Sequence, residues 1–146
     1  MSVMKRWLQL SFGLLWRTYV LYAIFAVLFA LLVGKLLLAS AYFLYLKPTL
    51  VYGTLALVVV IAEMGFKLNL LRALFGKRLN LSASQWRTCI FSLGLLLVTL
   101  AVLNAIVAFG APYFWVYYKV FGAPAIAIAG VLVTAWVACN KNTSVA

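Results

Sequence analysis

The feature that most constrains this chain is a stretch of 24 residues, 88–111, that contains no charged side chain and is mostly apolar. A helix of that length is about 36 Å long, and the hydrocarbon core of a bilayer is about 30 Å thick. Because the backbone finds no water inside a bilayer, a crossing segment must satisfy its own hydrogen bonds. The stretch therefore predicts a transmembrane helix.

Three further apolar runs complete the prediction, which is an all-α polytopic membrane protein with a single transmembrane domain over residues 1–146. The four predicted spans cover residues of about 18–40, 48–66, 88–111 and 120–139. Pro48 suits the first turn of the second span, where its missing N–H is not needed. Pro124 lies early in the fourth span, which either begins near Gly122 or is kinked at the proline.

Two amphipathic segments accompany the spans. Residues 1–17 place polar and charged side chains four positions apart, which predicts an N-terminal interfacial helix or a lead-in to the first span. Residues 67–87 form a cytoplasmic loop with five of the 12 basic residues and a short amphipathic stretch, LNLLRALFG. Residues 35–46 either extend the first span or lie at the interface. A signal peptide cleaved near residues 39–41 is an alternative, but Arg17 interrupts its apolar region.

The composition agrees with a membrane environment. Hydrophobic residues make up 68% of the chain and charged residues 9%, whereas soluble domains are about 45–50% apolar and about 25% charged. A small soluble domain cannot bury that much apolar surface. The net charge of +11 could suggest nucleic acid as a partner, but the basic residues lie between apolar runs. Membrane anchoring therefore explains them better than nucleic-acid binding.

The basic residues also predict an orientation. Nine lie on one side of the predicted topology: Lys5, Arg6, Arg17, Lys67, Arg72, Lys77, Arg78, Arg87 and Lys141. Three lie on the other side: Lys35, Lys47 and Lys119. The side richer in Lys and Arg is normally cytoplasmic, which predicts that both termini are cytoplasmic. Anionic lipid head groups are the expected contacts of Lys5, Arg6, Arg17, Arg72, Lys77, Arg78 and Arg87.

The inventory of reactive side chains argues against an enzyme. The chain has no His, one acid and two Cys residues. Zinc and haem sites normally use His or clustered Cys, and a nucleophilic Ser or Thr needs a neighbouring base. We therefore predict no catalytic residue, no cofactor and no metal site.

Two polar residues within spans are candidates for function. Glu63, the only acid, could serve a proton or cation relay, or could be a boundary residue that pairs with Lys67 at i+4. Asn104 lies about midway through the third span and could bond to another helix. Small residues accompany it at helical spacing: Ala101, Ala105 and Ala108. This face predicts packing between spans three and four, or docking of a partner.

Several short motifs in residues 47–122 carry a family resemblance. They are Lys47-Pro48-Thr49 with Tyr52; Leu74-Phe75-Gly76-Lys77 with Leu79 and Leu81; Trp86-Arg87; Asn104 with Ala108 and Phe109; and Trp115-Val116-x-x-Lys119-x-Phe121-Gly122. In their order and spacing the chain resembles the bacterial inner-membrane septation protein family, intracellular septation protein A.

The resemblance implies a location in the bacterial inner membrane and a role in cell division or envelope maintenance. It implies contacts with other inner-membrane proteins or a homo-oligomer, and it implies no reaction. Two alternatives stay open on the sequence alone. One is a small transporter or channel subunit, an oligomer built around Glu63 or Asn104. The other is a structural subunit of a larger membrane complex.

Overall fold

The computed structural model of the protein describes residues 2–37, 41–75 and 80–141, and every regular element in these ranges is helical. The helices are α1 (Val3–Leu37), α2 (Ala41–Phe66), α3 (Leu70–Phe75), α4 (Ala83–Gly110), the single turn α5 (Trp115–Tyr117) and α6 (Ala123–Asn140). A 3₁₀ turn (Pro112–Phe114) precedes α5, and a π-helical turn (Tyr118–Gly122) joins α5 to α6. Residues 112–140 thus form one helical run.

Four of these helical segments are long and apolar enough to cross a membrane: α1, α2, α4 and the run 112–140. The prediction of an all-α polytopic membrane protein with four such helices and a short amphipathic segment is confirmed. Their bounds differ from the predicted ones mainly at the starts. Here α1 begins at Val3, so residues 3–17 are the lead-in to the first span within one continuous helix.

Neighbouring helices run antiparallel, as specific contacts demonstrate. The side chain of Gln85, at the start of α4, donates to the carbonyl of Ala138, near the end of α6, over 2.8 Å. The indole of Trp7 in α1 donates to the carbonyl of Leu132 in α6 over 3.3 Å. One end of the bundle therefore holds the first residues of α1, the last residues of α6 and the connection between α2 and α4. We call this end the terminal end, and we call the end that contains Pro112 the opposite end.

The beginning of α4 is fixed by its own sequence. The Ser82 hydroxyl accepts from the backbone N–H of Gln85, and the Gln85 side chain accepts from the Ser82 N–H, which is a capping box. At its other end, α4 stops at Gly110 because Ala111 precedes Pro112, and a residue before proline disfavours the helical conformation. This sharp turn starts the fourth span.

Pro48 lies inside α2 and not at its first turn, which corrects the prediction. Because α2 begins at Ala41, Pro48 has a full turn of helix before it and removes the N–H that would bond to Leu44. Pro124 is at the first turn of α6, directly after the π-helical turn. The α-helical part of the fourth span therefore begins near Gly122, which is one of the two predicted arrangements. The missing N–H of Pro124 falls in the first turn of α6, next to the wider π turn.

The core lies between α1, α2, α4 and α6, and the small α3 contributes to it. Its fully buried side chains include Leu14, Leu55, Leu71, Ile90 and Ala135. Large apolar side chains on the outside remain exposed, for example Leu57, Leu95 and Val133. In a membrane protein such side chains face lipid, so the exposed apolar surface has a natural solvent.

A close contact between α2 and α4 at Gly94 predicts a stability effect. A Cβ atom built on Gly94 would lie 2.8 Å from Cγ2 of Val60, so Gly94→Leu forces the two helices apart. We expect a loss of about 1–3 kcal/mol in the free energy of unfolding, measured by titration with SDS in mixed micelles. Gly53→Leu is the matched control, since a Cβ there meets nothing within 4 Å. Equal losses for the two variants would contradict this packing.

Candidate functional site

A buried polar cluster joins α2, α4 and α5 near the opposite end of the bundle. Asn104, which is 1% exposed, donates through Nδ2 to the Tyr45 carbonyl over 2.9 Å and to Thr49 Oγ1 over 2.8 Å. Its Oδ1 accepts from the indole Nε1 of Trp115 over 3.2 Å. The Thr49 hydroxyl in turn donates to the Ala101 carbonyl over 3.2 Å. We call these residues the Asn104 cluster.

The cluster lies beside Pro48. This proline removes the backbone hydrogen bond that would end at the Leu44 carbonyl. The next carbonyl along α2, that of Tyr45, accepts from the Asn104 amide across the contact with α4. The polar contact between α2 and α4 therefore falls at the turn that the proline interrupts.

Aromatic contacts extend the cluster toward the surface. The rings of Tyr45 and Trp115 pack edge to face with centroids 4.9 Å apart. Lys119 Nζ lies 4.9 Å from the centroid of the Trp115 ring, which is within the range of a cation–π contact. The Tyr118 hydroxyl donates to the Leu100 carbonyl over 3.3 Å. These contacts hold the turn after α4 against the bundle.

The small-residue face of α4 points mainly toward α2. Asn104 lies six residues before the end of α4 at Gly110. It is therefore nearer to the opposite end of the bundle than the predicted position midway along the span. Ala101 and Ala108 are buried on the same side, and Ala105 is partly buried. The contact of α4 with α6 uses other residues, among them Leu96 against Gly130. This face of α4 therefore packs inside the bundle, and it offers little surface for an external partner to dock on.

Glu63 lies at the terminal end of α2, beside a cavity of about 300 Å³ that is also lined by Lys67, Asn69 and Arg72. The predicted pair with Lys67 at i+4 does not form. Lys67 follows the end of α2 and adopts a left-handed conformation with φ of 52°, while the Leu68 N–H bonds to the Ala62 carbonyl over 2.9 Å. The helix therefore ends at a left-handed residue, which takes Lys67 off the face of Glu63.

The short helix α3 is tied to α4 at this end. The Asn69 side chain accepts from the Arg72 N–H over 3.0 Å, which caps α3, and donates to the Trp86 carbonyl over 2.8 Å. Leu71 is 1% exposed and enters the core beside Leu14. The predicted amphipathic segment thus packs into the bundle as well as lying at its end.

The predicted lipid-contacting cations divide into two groups. Lys5, Arg6, Arg72 and Arg87 are exposed near the terminal end, where head groups can reach them. Arg17 is only 6% exposed, and its Nη1 donates to the Gly13 carbonyl over 2.9 Å. A buried guanidinium does not suit the predicted head-group contact. Lys77 and Arg78 lie outside the described residues.

The remaining motif positions are distributed over the bundle. Lys47 is exposed one residue before Pro48, Trp86 is 2% exposed, and Phe121 is exposed. At Gly122 an added Cβ would lie 2.9 Å from the ring of Tyr118, so the π turn has little room for a larger residue. Gly76 lies outside the described residues.

Three of the motifs that carried the resemblance thus meet in one cluster, through Thr49, Asn104 and Trp115. In agreement with this, the family described as "IspA: Intracellular septation protein A" matches residues 7–144. The chain belongs to the intracellular septation protein A family. The match begins well before residue 47, where the sequence motifs begin, and it includes most of α1.

Relatives within this family carry the name "Inner membrane-spanning protein YciB". The protein from Paraburkholderia phymatum is 33% identical over 91 residues, which are 62% of this chain and 52% of that protein. The one from Psychromonas ingrahamii is 31% identical over 93 residues, 63% of this chain and 49% of the relative. The one from Yersinia pestis (strain Pestoides F) is 33% identical over 107 residues, 71% of this chain and 59% of the relative.

The chain spans about half the length of the curated relatives it matches. No solved structure matches it. Family membership therefore agrees with a protein of the bacterial inner membrane that is linked to septation, as the names of the family and its relatives state.

Sequence reasoning singled out Asn104 but missed its partners in α2. The Tyr45 carbonyl is a backbone group, so no side-chain pattern could point to it. Pro48 inside the helix was the available signal, because a proline within a span needs an external donor or acceptor nearby. Placing the start of the second span at residue 48 concealed that signal.

The bonds of Asn104 predict a measurable coupling. Asn104→Leu leaves the Trp115 indole and the Tyr45 carbonyl without their partner, and we expect a loss of about 1–3 kcal/mol in unfolding free energy. In a double-mutant cycle with Trp115→Phe, the coupling energy should exceed about 0.5 kcal/mol. Thr99→Val is the control, because Thr99 is exposed and bonds only within α4. Strict additivity of the two substitutions would refute the bond.

Proposed function

We propose that this protein is an assembly component of the bacterial inner membrane that acts in septation or envelope maintenance by binding another membrane protein. Family membership supports the process, and the exposed half of α1, residues Ala23–Gly34, supports the mode of action. The charge bias toward the terminal end supports an orientation with both termini in the cytoplasm. The proposal includes no reaction.

The exposed half of α1 is the observation that carries the proposal. In the first half of α1, Leu10, Leu14 and Leu21 are buried against the bundle. From Ala23 to Gly34, by contrast, no side chain is fully buried: five are exposed and the others are half-buried, among them Phe25, which packs against the core. A long apolar helix with one half buried in the bundle and the other half only partly covered is suited to a second contact.

The residue pattern of this half favours a helix as the partner. Ala26, Ala30 and Gly34 are spaced by four, which forms a small-xxx-small stripe that allows close approach of two transmembrane helices. At 100° per residue the stripe lies on the opposite side of α1 from Leu14 and Leu21. A Cβ on Gly34 would meet nothing within 4 Å, so the stripe is open to a neighbour at Gly34.

The Asn104 cluster favours assembly over transport. Both N–H groups of the Asn104 amide are used inside the bundle, and its oxygen is bonded to Trp115. A polar side chain that is saturated by its own helices is poorly placed to bind a passing solute. We therefore assign Asn104 to the stability of the scaffold and the partner contact to α1.

The test combines complementation with crosslinking. A photo-reactive residue at Val27, which is 60% exposed beside the stripe, should crosslink to a protein of the septation machinery in living cells. Ala30→Leu should reduce the crosslink and should fail to restore normal cell length in a deletion strain. Leu28→Phe is the control, because Leu28 lies on the other side of α1, and it should preserve both.

Three outcomes would contradict the proposal. A deletion strain with normal division and an intact envelope would remove the proposed process. A crosslink only to a second copy of the same chain would replace the partner protein with a homo-oligomer. Equal effects of Ala30→Leu and Leu28→Phe would remove the stripe as the contact.

A further inference from the structure

A second cavity, of about 310 Å³, lies within the part of the bundle that crosses the membrane. It is bounded by α1, α4 and α6, with Tyr52 of α2 at its side. The volume is at the lower end of the range of about 300–1,000 Å³ that is typical of ligand pockets. Along the fourth span its lining extends from Lys119 to Val131, about 18 Å at 1.5 Å per residue.

The walls of this cavity are suited to hydrocarbon. Leucines of α4, among them Leu93, Leu97 and Leu100, form one wall, and Ala127 and Ile128 of α6 form another. The lining also includes four residues with hydroxyl groups, Thr18, Tyr19, Tyr22 and Tyr52, but most of it is apolar. A mostly apolar lining that extends about 18 Å along the fourth span fits a chain of methylene groups.

One end of the cavity is positively charged. Among the described lining residues, Lys119 is the only one with a charge. The only acid of the chain, Glu63, is near the terminal end, whereas Lys119 lies beside Trp115 at the opposite end. The ring of Trp115 offers a cation–π contact but no negative charge. An anionic group from the membrane would supply the missing counter-charge.

The energetics assign selectivity to this charge. A lipid chain that enters the cavity leaves one hydrocarbon environment for another, so the hydrophobic effect gives little net gain. The contact between the lipid phosphate and Lys119 then determines which lipid binds more strongly. In a zwitterionic lipid, the cationic group of the head competes with Lys119 for the phosphate. A lipid with a net negative head group has no such cation, so its phosphate is free to contact Lys119.

We propose that this cavity holds an acyl chain of an anionic phospholipid whose phosphate lies against Lys119. The site is distinct from the exposed basic residues of the terminal end, Lys5, Arg6, Arg72 and Arg87. The proposal does not depend on the assembly function, because it rests on α4, α6 and the first half of α1.

Native mass spectrometry of the delipidated protein tests the site. The protein is titrated with phosphatidylglycerol and with phosphatidylcholine of identical acyl chains. We expect one phosphatidylglycerol to be retained about fivefold more strongly, the size expected for one lysine near an anionic membrane surface. The preference should weaken as the salt concentration rises.

Two pairs of variants separate the head group from the chain. Lys119→Gln should abolish the preference, whereas Lys47→Gln, an exposed cation at the same end that does not line the cavity, should preserve it. Ala127→Phe fills the cavity and should reduce retention of both lipids at least fivefold. Ala125→Phe adds the same ring at an exposed position of α6 and should change nothing.

Each alternative has its own signature. Equal retention of the two lipids by the unmodified protein overturns the proposal, and this comparison holds even where a variant does not fold. Loss of preference in Lys119→Gln together with full retention in Ala127→Phe shows a surface head-group contact and overturns the acyl-chain site. Loss of preference in Lys47→Gln shows a general effect of charge and also overturns it.

Discussion

The bond from the Asn104 amide to the backbone of α2 is the interaction on which the arrangement of the helices depends. Pro48 interrupts the backbone bonding of α2 at the Leu44 carbonyl. Asn104 donates to the next carbonyl, that of Tyr45, across the helix contact. The same amide accepts from Trp115 and so fixes the turn that starts the fourth span. One side chain thus sets the positions of three helical segments.

Hydropathy predicted the four crossing helices because a bilayer admits few alternatives for apolar stretches of this length. The bounds were harder to predict where polar residues occur within a continuous helix. Arg17 and Lys5 indicated an interface, yet α1 continues through them from Val3. Pro48 indicated a helix start, yet the helix begins at Ala41 and continues through the proline.

The polar contacts were predictable only in part. Asn104 is conspicuous in an apolar span, so its role as a bond between helices could be anticipated. Its partners depend on the register of α2 against α4, which the sequence pattern does not specify. Glu63 was expected to pair with Lys67 by helical spacing, but the left-handed conformation of Lys67 ends the helix before that spacing applies. The cavity beside Lys119 arises from the packing of three helices, and no local pattern predicts it.

Asn104, Thr49 and Trp115 form one bonded cluster within the membrane. Nuclear magnetic resonance in lipid nanodiscs, with ¹⁵N-labelled Trp and Asn side chains, tests this cluster directly. We expect a through-space cross-peak between the indole N–H of Trp115 and the amide protons of Asn104, since Nε1 and Oδ1 are 3.2 Å apart. We also expect a cross-peak from that amide to the side chain of Thr49, over a bond of 2.8 Å. Spectra in which the Asn104 amide contacts water, with neither cross-peak, would contradict the cluster.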